Sequence, residues 1–74
     1  MRIVEISHEP IELYKILKFE GMATSGGVAK AVIAEGLVLV NGITETRKRK
    51  KIVSGDVIEF DQEKIRILVR RTIF

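Results

Sequence analysis

The sequence of 74 residues contains no cysteine, no tryptophan and a single histidine, His8. Without cysteine it can form neither a disulfide framework nor a thiolate metal site. Side-chain nucleophiles need a neighbouring base, and His8 has no cysteine or second histidine to pair with. Glu9, Glu12 and Glu20 are better explained as solubilising helix-surface residues than as acid/base groups or Mg²⁺ ligands. We therefore expect a non-enzymatic protein without a cofactor or a metal site.

Long apolar runs are also absent from the sequence. None approaches the ~20 residues of a membrane span, and the first residues, Met1-Arg2-Ile3-Val4-Glu5, lack the apolar region of a signal peptide. We expect a cytoplasmic monomer with no membrane partner. The length of 74 residues predicts a single domain, residues 1–74, with one small core.

Positive and negative charges are nearly equal in number, but the positive charges are unevenly placed. Lys and Arg number 13 against 10 Asp and Glu, and five of the cations are consecutive. These five residues, here called the basic run, are Arg47, Lys48, Arg49, Lys50 and Lys51. Without them the sequence has 13 − 5 = 8 basic against 10 acidic residues. The basic run therefore creates a local positive field that attracts phosphates.

A run of like charge often serves only as a solvated surface. Solubilising surfaces mix both signs, however, whereas the basic run stacks cations that repel one another until an anion binds. With three Phe and one Tyr, the sequence has few rings on which single-stranded bases can stack. The pattern favours a folded or helical nucleic acid recognised through its backbone, as A-form RNA is.

The first half of the chain predicts one strand and two helices. The β-branched stretch of residues 2–6 suits an edge strand. One helix begins near Pro10 and stops at Gly21, and a second begins at Ser25 and stops at Gly36. Their apolar faces comprise Leu13, Ile16 and Leu17 in the first helix and Val28, Ala29, Val32 and Ile33 in the second.

The second half predicts a small sheet. Residues 37–40 form a continuous apolar run typical of a buried strand, and Asn41-Gly42 predicts a type I′ hairpin turn after it. The basic run must then lie in a loop or on an exposed edge, because side chains alternate between the faces of a strand. Residues 57–60 and 65–69 predict two further strands joined by a polar turn at 61–64. The fold class is α+β: two short helices packed on a small, mainly antiparallel twisted sheet.

The segment Thr24-Ser25-Gly26-Gly27 lies at the start of the second predicted helix. Free N–H groups at a helix N-terminus can bind a phosphate, and glycine lets the phosphate approach the backbone closely. The segment is also explained by an ordinary N-cap followed by two small residues. The residues alone favour this second explanation over phosphate binding.

The order of residues from about 8 to 60 resembles the RNA-binding domain named after small-subunit ribosomal protein S4, the S4 domain. Pieces such as Glu45-Thr46-Arg47-Lys48-Arg49 make it most similar to the small stand-alone bacterial proteins of the YbcJ type within that family. The residues that carry the wider resemblance are Leu13, Leu17, Gly21, Ser25, Ala29-Lys30, Gly36, Val38, Val40-Asn41-Gly42 and Gly55-Asp56.

The resemblance implies that the two helices and the following hairpin form an L-shaped unit, the αL motif, with RNA lying along it. The family often has Arg at the positions of Glu12 and Gly26, so this sequence shifts the expected contacts onto the basic run and onto backbone N–H groups. The residues expected to contact RNA are Lys15, Lys18, Ser25, Gly26, Gly27, Lys30, Asn41, Arg47, Lys48, Arg49, Lys50 and Lys51.

We therefore expect a non-catalytic module that binds structured RNA, either ribosomal RNA in the ribosome or its precursors, or another stable RNA. Two alternatives remain open. Two short helices with a tight connection also describe a helix-turn-helix that binds duplex DNA, although Lys30 is the only cation in residues 25–35. The basic run can also recruit a protein partner.

Overall fold

The computed structural model describes residues 1–70. Its elements are β1 (Arg2–Ile6), β2 (Ile11–Glu12), α1 (Leu13–Phe19), α2 (Gly26–Ala34), β3 (Leu39–Val40), β4 (Ile43–Thr44), β5 (Lys51–Ile52), β6 (Val57–Phe60) and β7 (Glu63–Val69). Five strands form one sheet in the order β1-β7-β6-β3-β4, and β2 pairs with β5 in a second, two-stranded sheet. The predicted α+β class is confirmed.

The larger sheet is antiparallel except at one edge. There β1 runs parallel to β7, with Val4 opposite Ile67, and this pairing confirms the predicted edge strand. Alternation along β7 buries Ile65 and Ile67 in the core and leaves Arg66 exposed. The largest fully buried side chains come from both helices and from the strands and the segments beside them: Leu13, Leu17, Ile33, Val38, Ile52, Ile58, Ile65 and Ile67.

Both helices end at the predicted glycines. Gly21 and Gly36 have φ of 72° and 78°, a left-handed conformation that glycine adopts without a Cβ clash. After α1, the N–H of Met22 donates to the carbonyl of Leu17, and the same bond joins Leu37 to Val32 after α2. These are Schellman motifs, which satisfy the free carbonyls at each helix end. In the part of the chain that the structure describes, neither helix has the length and apolar sequence needed to cross a membrane.

The predicted start of the first helix at Pro10 is wrong. Ile11–Glu12 instead pairs with Lys51–Ile52 as an antiparallel strand, so α1 begins at Leu13. The amides of Leu13 and Tyr14 donate to the carbonyls of Lys50 and Lys48, at 2.9 and 3.1 Å. Acceptors from a distant segment therefore satisfy the first turn of α1, and no local start signal is required.

The hairpin turn after β3 is confirmed, because Asn41 and Gly42 both have positive φ, 53° and 80°. The strand before it is shorter than predicted, since Leu37 is 53% exposed and its amide closes the end of α2. The predicted polar turn at residues 61–64 is also shorter. Asp61 and Gln62, with φ of 51° and 67°, complete it alone, and β7 begins at Glu63.

The apolar face predicted for α2 is correct at Ala29 and Ile33, which are fully buried, and Val32 packs against the core. Val28 is the exception, because it is 43% exposed. It lies in the first turn of α2. Apolar spacing along a helix does not show how far the elements packed against that helix extend.

Candidate nucleic-acid interface

The basic run lies across the N-terminus of α1. The carbonyls of Lys48 and Lys50 accept the hydrogen bonds from the first amides of α1, and the N–H of Lys50 donates to the carbonyl of Arg47 at 3.2 Å. These backbone bonds fix the path of the run while its side chains face solvent, except that Lys50 is partly buried. The expected exposed loop is confirmed, with Lys51 entering the short strand β5.

Arg47 is held by Glu45. Its Nε donates to Glu45 Oε2 at 2.9 Å, its second guanidinium nitrogen donates to Oε1 at 3.1 Å, and its backbone N–H donates to Oε2 at 3.0 Å. The side-chain hydrogen bond from Arg47 lowers the pKa of Glu45 from 4.5 to about 2. Arg47 is therefore oriented by its own anion and is not a free cation.

Glu12 forms a second carboxylate contact within the basic surface. Its Oε1 lies 3.2 Å from Lys15 Nζ, and its Oε2 accepts a hydrogen bond from Arg49 at 3.2 Å. The hydrogen bond from Lys15, followed by that from Arg49, lowers the pKa of Glu12 below its ordinary value. Glu12 therefore draws one cation from α1 and one from the basic run together.

Tyr14 lies among cations from three segments of the chain. Its ring centroid is 4.6 Å from Lys30 Nζ in α2, 5.5 Å from the Arg49 guanidinium carbon and 6.0 Å from Lys15 Nζ. Each distance is within the range of a cation–π contact. The sequence prediction did not include Tyr14. Its adjacency to Lys15 was a weak signal, because the other two partners are distant in sequence.

The start of α2 adjoins the same surface. The Ser25 hydroxyl accepts from the Val28 N–H at 3.1 Å, which confirms the predicted N-cap. A helix has no internal acceptors for its first amides, so those of Gly26 and Gly27 remain available to a ligand. A Cβ on Gly26 would lie 3.9 Å from Lys18 Cδ and 4.0 Å from Tyr14 Cε2, so this residue closely approaches α1.

Asn41 has a structural role in the turn. Its Nδ2 donates to Asp56 Oδ1 at 3.0 Å, and its Oδ1 accepts from the Val57 N–H at 2.9 Å. These bonds tie the hairpin to β6. Asn41 also lines a shallow depression with Arg47 and Lys50. Its contact with RNA remains a prediction.

We call Lys15, Lys18, Lys30 and the basic run together the basic face. Three of its eight cations, Lys15, Arg47 and Arg49, pair with a carboxylate. Within residues 1–70, no Asp or Glu oxygen lies within 4.0 Å of the other five, Lys18, Lys30, Lys48, Lys50 and Lys51. Two of the five cations in the basic run, Arg47 and Arg49, therefore already have a carboxylate partner. Among the described residues, no three His, Asp or Glu side chains are placed to hold a metal ion.

The chain is similar to known proteins over most of its length. The family model described as the S4 domain matches residues 4–68. The Escherichia coli K12 protein named "Putative RNA-binding protein YbcJ" is 46% identical over 61 residues, which cover 82% of this chain and 87% of that protein. The Bacillus subtilis protein named "Probable ribosome maturation protein RlbA" is 38% identical over 58 residues, which cover 78% of this chain and 82% of that protein.

A solved structure is also similar. The solution structure of YbcJ from Escherichia coli matches with a TM-score of 0.70 and 42% identity, covering 92% of this chain and 87% of that chain. That structure is described as containing an αL motif involved in RNA binding.

Proposed function

Because the chain belongs to the S4 domain family, we propose that it binds structured RNA and catalyses no reaction. The observation that carries this proposal is the basic face, where five lysines have no carboxylate partner within residues 1–70 and two arginines are oriented by carboxylates. Lysine side chains bind phosphates as mobile point charges, whereas a fixed arginine fork adds geometric selectivity. A ligand with regularly spaced phosphates can contact the lysines and the arginines at the same time.

RNA backbone is the ligand that fits this surface best. The A-form helix offers phosphates and 2′-hydroxyls across a wide, shallow groove. The basic face is open and shallow, with a depression lined by Arg47, Arg49, Lys50 and Lys51. At the start of α2, the amides of Gly26 and Gly27 add backbone donors beside Lys18. The Asn41 side chain lies at the border of this surface, where the hairpin meets Arg47.

The RNA that we propose is ribosomal RNA or its precursor. The name of the RlbA relative refers to ribosome maturation, and the name of the YbcJ relative refers to RNA binding. A module of this size presents one basic face, so we propose that it acts as a monomer in the cytoplasm, where it meets the ribosome.

Salt dependence tests the proposal. If about four to six phosphates are neutralised, log K for a structured RNA falls with log[salt] at a slope of roughly −3 to −5. Replacing Arg47, Arg49 and Lys51 together by Ala weakens binding to all structured RNAs similarly and leaves the fold intact, because these side chains are exposed. A flat salt dependence, or unchanged affinity in the triple variant, contradicts the proposal.

Two control experiments separate the alternatives. In the first, duplex DNA competes with a structured RNA that is already bound to the protein. The DNA releases the RNA if the protein prefers duplex DNA, and it leaves the RNA bound if the protein prefers RNA. A pull-down after nuclease treatment retains a protein partner and loses one that is held through RNA. Recovery of crosslinked RNA from cells, compared between the protein and a variant with Ala at residues 47–51, then identifies the RNA.

A further inference from the structure

Phe19 exposes a large aromatic surface beside the basic face. Its side chain ends α1 and is 67% exposed, the largest exposed fraction among the aromatic residues that the structure describes. A groove runs from it towards the N-terminal turn, and its lining combines apolar walls with charged edges. The lining residues are His8, Pro10, Ile11, Glu12, Lys15 and Phe19.

The groove is continuous with the basic face. Lys15 belongs to both, and Glu12 in the groove contacts Arg49 of the basic run at 3.2 Å. Lys18 Nζ of the basic face lies 5.8 Å from the Phe19 centroid. A ligand whose phosphates contact Lys15 and Lys18 therefore lies beside the Phe19 ring.

We propose that this groove binds one unpaired base of the RNA, stacked on Phe19. The inference rests on the proposed function and names a feature of the RNA that the basic face alone does not select. A nucleotide carries a flat π-face and a phosphate in one unit, which matches an exposed ring with Lys18 near it and Lys15 in the same groove. The cations at the groove edges make an apolar peptide a poorer occupant, because it would leave them without anions.

The low aromatic content limits how many bases can stack on the protein. Three Phe and one Tyr do not build a platform for a stretch of single strand, but a single base needs only one ring. The expected ligand is therefore a folded RNA with one unpaired nucleotide beside a helical segment. The helical segment contacts the basic face, and the unpaired base enters the groove.

Tryptophan fluorescence offers a direct test, because the sequence contains no Trp. Phe19→Trp places a single fluorophore in the groove. Leu37→Trp is the matched control, since Leu37 is 53% exposed and lines a different depression with Leu39 and Phe60. The probes are one RNA hairpin with a single bulged base and the same hairpin fully paired. We expect the bulged hairpin to quench Phe19→Trp emission and to leave that of Leu37→Trp unchanged.

An affinity measurement completes the test. The unmodified protein should bind the bulged hairpin about tenfold more tightly than the paired one, as stacking of one base predicts. Phe19→Leu keeps an apolar helix-forming side chain, and we expect it to abolish that preference while keeping the salt slope and the thermal midpoint. Equal affinity for both hairpins, or a preference that survives Phe19→Leu, overturns the stacking site and leaves RNA binding standing. Failure of the unmodified protein to bind either hairpin overturns the proposed function and the stacking site together.

Discussion

The cations of the larger sheet and those of the basic face differ in their partners. The sheet region carries Arg2, Lys64, Arg66 and Arg70, and three of these four contact a carboxylate within the described residues 1–70. On the basic face, only three of eight cations contact a carboxylate in this part of the chain. The same residue types therefore form a surface of mixed sign in one region and an excess of unpaired positive charge in the other.

This difference shows that net charge is a poor guide to function. The whole chain carries only +3, yet unpaired lysines collect around α1 and the start of α2. Exposed ion pairs stabilise the fold little, so the sheet pairs mainly neutralise their surroundings. Unpaired neighbouring lysines repel one another, and a bound polyanion relieves that repulsion. A bound anion therefore lowers the electrostatic repulsion more on the basic face than in the sheet region.

The largest expected effect comes from removing unpaired charge. Changing Lys48, Lys50 and Lys51 to Gln makes the salt slope less steep by about 2 to 3, so the loss of RNA affinity relative to the unmodified protein is roughly 16- to 64-fold larger at about 50 mM than at about 200 mM salt. The matched control changes Arg2, Lys64 and Arg70 to Gln, which removes the same net charge from the sheet region. Filter binding across a salt series measures both variants.

Comparing the basic-face variant with the sheet variant separates the effect of total charge from the effect of its position. If both variants lose the same affinity, binding follows total charge, and the basic face has no special role. If only the sheet variant loses affinity, the RNA lies on the sheet.

A smaller effect in the opposite direction is expected from Glu12→Gln. The substitution frees Lys15 and Arg49 from their shared carboxylate, so RNA binding becomes about three- to fivefold tighter and the salt slope steeper by about 1. Glu59→Gln is the control, because Glu59 pairs with Lys64 in the sheet. Weaker binding by Glu12→Gln would instead mean that Glu12 positions Arg49 for the RNA.

The smallest expected effect concerns stability. Because the pKa of Glu45 falls from 4.5 to about 2 in the folded state, its ion pair stabilises the protein above pH 4.5, and this contribution is lost as the pH falls towards 2. Arg47 is 70% exposed, so the screened contribution of Glu45 is about 1 kcal/mol. Glu45→Gln should lower the free energy of unfolding by this amount at pH 6 and by much less at pH 2. Urea denaturation at both pH values measures it, and a pH-independent difference contradicts the assignment.

The sequence predicted the features that depend on adjacent residues. Gly21 and Gly36 end helices, Ser25 caps one, and Asn41-Gly42 turns the hairpin, because each acts through its own backbone conformation or a nearby amide. The resemblance to the S4 domain family is also confirmed. The motif residues therefore predicted the fold as well as the family.

The features that the sequence did not predict depend on distant contacts. The start of α1 is set by the carbonyls of Lys48 and Lys50, and Tyr14 meets Lys30 and Arg49 only in the folded chain. Within the basic run, Arg49 pairs with Glu12, far away in sequence. A charge run shows where cations are concentrated, but only the fold shows which of them are already neutralised.

The most direct test of the account is amide chemical-shift mapping of the protein during titration with a structured RNA. We expect shifts concentrated in α1, at the start of α2 and in the basic run, with the amides of β6 and β7 unchanged. Shifts confined to the larger sheet, or no shifts at all with a ribosomal RNA fragment, would contradict the claim that the basic face binds RNA.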